Sequence, residues 1–519
     1  MPYDPTAPWA HVYVGTTIHA PRLGELAIHP LSLMVVNVAG YIARYDTDVD
    51  SLRDGADVAD YVAQVLAEAP AGRRPAVHHL APSQFLAPGF IDAHLHAPQY
   101  VFTGTGYDQP LLTWLTTSTF PREAEFSDVA HAREAYSAVV RRTLQSGTTT
   151  AVYYGTIHAP ANRILVDAVW RHGQRALVGA VSMDRHAPDG YVQPSVAAAV
   201  DVTRETLAAC AAATRRCSAS ASETDHVDRV RGCVTPRFAP SCTDALLRAL
   251  GDLAATGGDS VEAHVTDPAT PSSEPRRLPI QTHLAETRDE IAWVASLFPE
   301  AQDYTDVYAR AGLLGATTIL GHGIHLADRE LRAIRAAGAH IAHCPASNFA
   351  LGSGVCDVRR LLRAGVSVAL GTDVAGGSSP HVLDAMRNAL TASKVCAMLA
   401  RGPPPSPAAP YAPLTVAEVV YLATRGGARA VGHADDLGYF GPGCRFDALR
   451  VDLAVGAFVP APTTSPPPPA GHAHAFAWVP RFPHDTLRDL FEKWIYLGDD
   501  RQIQAVWVQG EQVVPMPAP

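Results

Sequence analysis

Two histidines separated by one residue follow an apolar run near residue 90. The run Pro88-Gly89-Phe90-Ile91-Asp92-Ala93 leads directly into His94 and His96. Because residues two apart in an extended strand share a face, the two imidazoles should point the same way. Convergent imidazoles at a strand end suit a divalent transition metal such as zinc. A His-x-His pair also arises by chance in a chain with 23 histidines, so a metal site requires further ligands elsewhere.

Three later apolar runs also end in residues that can bind a metal or move a proton. Their polar residues are His283 with Glu286, then His322, then Asp373. Taken singly, a histidine can be a hydrogen-bonded core residue, and an aspartate before a loop often caps a helix. Their appearance together at the ends of successive apolar runs favours one shared site.

Short apolar runs alternate with longer helical patterns between residues 88 and 440. This alternation is typical of βα repeats around a parallel sheet. Eight parallel strands make a (β/α)8 barrel, which places its chemistry at the C-terminal ends of the strands. The predicted fold class is therefore α/β, with a TIM-like (β/α)8 barrel over residues 88–440. The eight predicted strands end at His96, Tyr154, Met183, Arg237, His283, His322, His343 and Asp373.

The segments on either side of the predicted barrel contain further strand patterns. Leu33–Val38 and Tyr41–Arg44 indicate a hairpin, and Ala56–Ala69 follows with a helical pattern. Near the C-terminus, Phe446–Val451 and Ala505–Val508 have the composition of strands. We expect residues 1–87 and 441–519 to form one composite β-sandwich domain.

Four stretches are rich in Ala, Ser, Gly, Thr or Pro and poor in large apolar residues. Such compositions bury too little apolar surface to offset the entropy of ordering. They are predicted to be surface loops, at 211–228, 255–278, 402–413 and 460–469.

Composition limits the classes of protein and partner. The chain has 519 residues, 47% of them hydrophobic, but no uninterrupted apolar run of membrane-spanning length and no signal-peptide pattern at its start. A net charge of -10 without acidic blocks argues against nucleic acid as a partner. Eight scattered cysteines without a Cys-x-x-Cys pair indicate reduced, mostly buried thiols. We expect a cytoplasmic protein that binds neither membrane nor nucleic acid.

Several motifs together resemble a known family. His94-Leu95-His96, His283, His322 and Gly371-Thr372-Asp373 resemble the metal site of the amidohydrolase superfamily. Within it, the closer resemblance is to the guanine deaminase family, and it spans almost the whole chain. The motifs that carry it are Pro88 to Tyr100, Trp114 to Pro121, Ser146 to Thr150, Tyr154 to His158, Val234 to Phe238, Gly371 to Gly377 and Tyr496 to Arg501.

The resemblance implies a single zinc ion in each chain. Members with two metals commonly bridge them through a carboxylated lysine on the fourth barrel strand. The stretch around residues 232–240 has no lysine, and the two lysines of the chain, Lys394 and Lys493, come after Asp373. The implied ligands are His94, His96, His283 and Asp373.

The resemblance also implies hydrolytic deamination of guanine to xanthine and ammonia by a water that zinc activates. Asp373 would accept the proton of that water, and Glu286 would carry protons to the purine ring and the departing amine. His322 would stabilise charge on the attacking oxygen, although it could equally be a metal ligand. The implied substrate-binding residues are His96, Gln99, Arg237, Phe238, His283, Glu286 and Asp373.

Other functions stay open at this point. A related amidohydrolase could act on 8-oxoguanine, a pterin or a triazine, although Gln99 and Arg237 favour guanine. A metal-free scaffold on the same fold is a second alternative, but it would not need the five metal-site residues and Glu286. The absence of a Pro-Cys-x-x-Cys motif excludes the cytidine-deaminase type of zinc enzyme. We expect guanine and water as substrates and a homodimer as the assembly.

Overall fold

The computed structural model describes residues 3–47, 55–70, 72, 74–219, 229–257, 277–400, 411–456 and 477–515. Its strands are β1 (Trp9–Arg22), β2 (Glu25–Asn37), β3 (Ile42–Asp46), β4 (Ala76–His79), β5 (Gln84–Pro88), β6 (Phe90–His96), β7 (Thr148–Tyr154), β8 (Arg175–Gly179), β9 (Val181–Ser182), β10 (Val230–Gly232), β11 (Thr235–Pro236), β12 (Ile280–Leu284), β13 (Thr318–His322), β14 (His340–His343), β15 (Ser367–Leu370), β16 (Ala448–Asp452), β17 (Ile503–Val508) and β18 (Glu511–Val514).

Sixteen α-helical segments lie among these strands in the described part of the chain. They are α1 (Gly55–Ala67), α2 (Leu111–Trp114), α3 (Phe120–Ala124), α4 (Val129–Gln145), α5 (Ala159–Arg171), α6 (Val196–Ala219), α7 (Asp244–Thr256), α8 (Arg288–Leu297), α9 (Tyr304–Arg310), α10 (Asp328–Ala337), α11 (Pro345–Ala350), α12 (Val358–Arg363), α13 (Val382–Leu399), α14 (Val416–Tyr421), α15 (Gly427–Ala430) and α16 (Leu487–Leu497). A 3-10 turn, Ala97–Phe102, follows β6 directly.

Strands from both ends of the chain pair in one eight-stranded sheet. Its order is β18-β17-β16-β5-β1-β2-β3, and β4 pairs with β1. The β2 and β3 strands form the predicted antiparallel hairpin, and α1 occupies the predicted helical stretch. The antiparallel pairing of β16 with β5 joins the C-terminal strands to the N-terminal ones, as the sequence predicts. The domain limits at 87/88 and 440/441 stay predictions.

The strands between them run parallel in two arcs. One arc has the order β10-β8-β7-β6, with the short pair β11-β9 beside it, and the other has the order β12-β13-β14-β15. Backbone hydrogen bonds join the arcs at both edges. At one edge the Val234 N–H donates to the Pro279 carbonyl oxygen, and the Gln281 N–H donates to the Val234 carbonyl oxygen. At the other edge the Asp373 N–H donates to the His94 carbonyl oxygen at 2.8 Å. The β6 end and the segment after β15 are therefore neighbours.

The predicted strand ends are close to the observed ones, with two informative differences. The third and fourth barrel strands are each broken into two pieces, β8 with β9 and β10 with β11. The last strand, β15, ends at Leu370, so Asp373 lies in the following turn rather than at the strand end. All seven residues of β6 and of β7 are buried, as expected for parallel strands that are covered on both faces.

The predicted surface loops are only partly correct. Residues 211–219 continue α6 as a helix, because their many alanines favour helix and no glycine or proline interrupts them. Leu278 is buried, and its N–H donates to the Ala254 carbonyl oxygen at 2.9 Å, so the second stretch ends before it. Residues 220–228, 258–276, 402–410 and 460–469 lie outside the described residues.

Two predictions from composition can be compared with the described residues. All seven cysteines with described side chains are free thiols, and six of them are buried, as expected. Within the described ranges, no helix combines the length and apolar character needed to cross a membrane.

Candidate active site

Four residues from three parts of the chain bring metal-binding atoms together. His94 and His96 come from β6, His283 from β12, and Asp373 from the turn after β15; one ligand atom of each lies within 4.8 Å of all the others. His94 Nε2 is 3.2 Å from Asp373 Oδ1, and His96 Nε2 is 3.1 Å from His283 Nε2. We call these four residues the metal cluster. Imidazole nitrogens and a carboxylate oxygen are donor types that zinc binds in proteins.

The ionisation states in the metal cluster suit cation binding. Burial lowers the pKa of His94, and it lowers the pKa values of His96 and His283 much further. Burial acts against ionisation of Asp373, but His94, His322 and His96 together outweigh that effect and lower the pKa of the carboxyl. Neutral imidazoles and an ionised carboxylate are the forms that bind metal.

Unpartnered ring nitrogens provide a direct test of whether the metal cluster fits a metal. The rings of His94 and His96 are both buried. Among the described residues, no hydrogen-bond partner is found for three of their nitrogens, which are Nδ1 and Nε2 of His94 and Nδ1 of His96. Burying a polar atom without a partner is costly, and a metal ion in the cluster would give a partner to one nitrogen of each ring. The two Nε2 atoms of His96 and His283 also face each other, and a cation between them would satisfy both. The cluster therefore fits a metal site.

Backbone hydrogen bonds orient two of the candidate ligands. His283 Nδ1 lies 2.6 Å from the Arg237 carbonyl oxygen and donates to it, which leaves Nε2 free to face the cluster. The buried Asp92 carboxylate accepts from the Thr372 N–H at 3.0 Å and from the His94 N–H at 3.2 Å. Asp92 thus ties β6 to the turn that carries Asp373.

Left-handed backbone conformations occur at three positions around the cluster. The φ angles are 49° at Ala285, 67° at His322 and 49° at Asp373. Non-glycine residues rarely adopt this region, and such residues concentrate at functional sites, where the surrounding structure holds them in place. His322 is the last residue of β13, Ala285 follows β12 directly and precedes Glu286, and Asp373 lies three residues after the end of β15.

Gly321 makes room for the His94 ring, because a Cβ at this position would lie 2.7 Å from His94 Cε1. Gly321→Ala should therefore displace the imidazole and reduce both metal occupancy and activity by about tenfold or more, as misplacement by about 1 Å is expected to do. Gly315→Ala is the matched control, because a Cβ there meets no atom closer than 3.6 Å. Metal analysis of both purified variants checks the prediction, and full occupancy in Gly321→Ala would contradict it.

Glu286 and His322 lie beside the metal cluster. His322 Nε2 is 3.4 Å from Glu286 Oε2 and 3.7 Å from Asp373 Oδ2. The His322 ring also lies 2.9 Å, through Nδ1, from Asn348 Oδ1, and Ser353 donates to Glu286 Oε1 at 2.8 Å. Burial raises the pKa of Glu286 to about 7, and although burial opposes it, the nearby Glu286 carboxylate raises the pKa of His322. A carboxyl with a pKa near neutrality can both donate and accept a proton.

A small cavity opens onto the metal cluster. Its lining combines polar groups with apolar side chains, as is typical of small-molecule sites. The lining residues are His96, Gln99, Leu111, Trp114, Leu115, Arg237, Phe238, His283, Glu286, His322, Leu351, Asp373 and Gly376.

All the site residues predicted from the sequence except His94 line this cavity, and His94 lies behind it within the cluster. Sequence reasoning missed the residues that hold them in place. Asp92 was detectable, since it shares a strand face with His94 two residues later. Asn348 contacts His322, Ser353 contacts Glu286, and Glu123 contacts Arg237. No local sequence pattern predicts these contacts, because the two residues of each pair are far apart in sequence.

The geometry defines a candidate metal site beside a carboxyl suited to proton transfer, and comparisons with known proteins identify the family of the chain. Residues 85–513 match the amidohydrolase family. The chain therefore belongs to the amidohydrolase family.

Similar individual proteins give more information about activity than the family does. A probable guanine deaminase of Schizosaccharomyces pombe is 37% identical over 97% of this chain and 83% of its own length. A guanine deaminase of Dictyostelium discoideum is 36% identical over 97% of this chain and 98% of its own length. The crystal structure of guanine deaminase from C. acetobutylicum with bound guanine superimposes with a TM-score of 0.76 at 28% identity, covering 97% of this chain and 99% of that one.

Proposed function

We propose that this chain catalyses the hydrolytic deamination of guanine to xanthine and ammonia. One observation carries the proposal: Glu286 and three of the four metal-cluster residues line the same cavity as Gln99 and Arg237, in a chain similar to guanine deaminases over nearly its full length. The first group can activate water and move protons, and the second can orient a purine. The cavity therefore combines the two requirements of the reaction.

His94, His96, His283 and Asp373 would hold the metal, and zinc is the ion that we propose. A bound zinc would act as a Lewis acid that makes water nucleophilic at neutral pH. His283 is held for this role by the Arg237 carbonyl oxygen, and Asp373 by the backbone bond from its N–H to His94. Neither contact uses a ligand atom.

The carboxylates of Asp373 and Glu286 transfer the protons. Protonated Glu286 delivers its proton to the purine ring nitrogen beside the attacked carbon, and Asp373 takes the first proton of the attacking water. Glu286 then takes the second proton, from the hydroxyl group on the attacked carbon, and gives it to the amino group, which departs as ammonia and leaves the carbonyl group of xanthine. The proton held by Asp373 returns to Glu286, so one water proton ends on the ring and the other on ammonia. His322 donates a hydrogen bond to the developing negative oxygen, for which its raised pKa is suitable.

Arg237, Gln99 and Phe238 orient the substrate. Arg237 donates to the acceptor edge formed by guanine O6 and N7, a geometry that arginine uses for guanine elsewhere. Gln99 and the backbone of Phe238 contact the remaining polar atoms of the ring, and His96, His283, Glu286 and Asp373 contact the reacting end. Adenine presents an amino donor where guanine presents O6, so Arg237 disfavours it.

A panel of substrates tests this specificity. We expect ammonia release from guanine to exceed that from 8-oxoguanine, pterin and a triazine by about 100-fold or more in kcat/KM, because a misplaced donor or acceptor leaves a buried polar group unpaired. A faster rate on any of these compounds would move the proposal to that substrate.

We further propose one zinc per chain, because the four-residue cluster is complete and the fourth barrel strand carries no lysine. Chelation should abolish activity, and a single equivalent of zinc should restore it. Elemental analysis and titration of the stripped protein measure both. A stable content of two metals per chain, both needed for activity, would contradict the prediction.

Location in the cytoplasm and assembly as a homodimer are proposals that accompany the function. Cell fractionation tests the first, and sedimentation of the purified protein tests the second.

A further inference from the structure

Glu123 is a fully buried carboxylate that the proposed mechanism does not use. It lies in α3, and it accepts from Gln99 Nε2 at 2.8 Å and from the Tyr191 hydroxyl at 2.7 Å. The two terminal nitrogens of Arg237 donate one to each of its oxygens, at 2.6 and 3.1 Å. Four donors fill the acceptor capacity of a carboxylate. Glu123 is therefore saturated by its protein partners.

The Gln99 amide is held in one orientation between two fixed partners. Its Nε2 donates to Glu123, and its Oε1 accepts from the Ala375 N–H at 3.1 Å. An amide flip would place the oxygen against the carboxylate and the NH2 against the N–H, so the network excludes it. The edge that Gln99 presents to the cavity is thus set by Glu123 and Ala375.

Arg237 is held in the same way, and its charge is neutralised. Two parallel N–H···O bonds bind its guanidinium to Glu123, and the guanidinium lies 5.0 Å from the centre of the Phe120 ring. The side chains of both charged partners are almost completely buried, so water screens neither of them. The cavity wall at Arg237 therefore offers hydrogen-bond donors without a net positive charge.

We infer that Glu123 positions the residues that determine substrate specificity, an inference that rests on the proposed function. Glu123 fixes Gln99 and Arg237 in the orientation that contacts the purine, and it cancels the Arg237 charge so that the cavity prefers a neutral heterocycle to an anion. Glu123 does not line the cavity and acts only through the two residues that do. A neutral purine is the ligand class that such a wall selects, because a bound anion would have no net opposite charge there.

Glu123→Gln keeps the size of the side chain and removes its charge. We expect KM for guanine to rise about 10 to 100-fold, the loss that follows when hydrogen bonds to a charged group are broken, with kcat within about threefold. Binding of hypoxanthine, a neutral purine, and of urate, an anion at neutral pH, is measured by calorimetry. The ratio of urate to hypoxanthine affinity should rise at least about tenfold in the variant, because Arg237 then carries an uncompensated charge.

Two further variants make the result specific. Glu123→Asp retains the charge but shortens the reach, so KM for guanine should rise while the affinity ratio stays near that of the wild type. This variant also carries the test if Glu123→Gln does not fold. Glu330→Gln is the matched control, because Glu330 is also buried but accepts from Thr305 and Ala327 outside the cavity. It should change neither KM nor the ratio.

The inference is overturned if folded, metal-loaded Glu123→Gln keeps the wild-type affinity ratio, or if Glu123→Asp keeps the wild-type KM. A failure of the proposed function has a different outcome. In that case the wild-type protein makes no xanthine from guanine, while calorimetry still ranks hypoxanthine and urate.

Discussion

Glu286→Gln is expected to reduce the turnover of guanine by about 10,000-fold or more while leaving metal content and guanine binding in place. General acid and base catalysis by one group contributes about 100 to 10,000-fold, and a residue that serves several proton transfers should lie at or above the top of that range. Glutamine keeps the size of Glu286 and can still accept from Ser353, but its amide cannot take up or release a proton at neutral pH.

Three measurements on the same preparation separate metal content, guanine binding and turnover. They are metal analysis, calorimetry with guanine and steady-state kinetics. Glu330→Gln again serves as the matched control, since it replaces another buried carboxylate that lies outside the cavity. If Glu286→Gln has a full complement of metal and near wild-type turnover, the proton-transfer role moves to Asp373 or His322.

His283→Ala should behave differently, with metal and activity lost together. Its Nε2 is one of four ligand atoms in the cluster, and the Arg237 carbonyl oxygen already holds it in position. Three remaining ligands would bind zinc far more weakly than four, because each donor bond removed also exposes the ion to competing water. We expect activity to fall in parallel with occupancy and to recover partly when zinc is in large excess.

His340→Ala is the control for His283→Ala. His340 is also a buried histidine of a barrel strand, but it begins β14 and its Nε2 lies 3.3 Å from the Ala316 carbonyl oxygen, outside the cluster. Its replacement should lower thermal stability and leave metal stoichiometry unchanged. Normal metal content in His283→Ala would remove His283 from the ligand set.

The sequence predicted the metal cluster because its members end apolar runs, and parallel strands bring those ends to one edge. It could not predict the relation of His322 to the cluster. That relation depends on a backbone φ of 67° and on the contact with Asn348, 26 residues away in sequence. Neither the φ angle of His322 nor its contact with Asn348 produces a pattern that can be recognised in a single sequence.

The role of Glu123 is even harder to predict from a single sequence. Its ion-pair partner Arg237 is 114 residues away, and no local pattern distinguishes it from the neighbouring acidic residue Glu125, which is partly exposed. The prediction of a loop over 211–228 was wrong for residues 211–219 for a different reason. A run of small residues predicts a loop only when glycine, serine or proline dominates it, whereas alanine is the strongest helix former, and residues 211–219 extend α6.

The central claim is that this cavity converts guanine to xanthine with a metal-activated water. The most direct measurement follows xanthine and ammonia together after purified, zinc-loaded protein is mixed with guanine. We expect both products in equal amounts, and we expect both to disappear when zinc is removed and to return when it is restored. Folded protein with a full complement of zinc that forms no xanthine would contradict the claim.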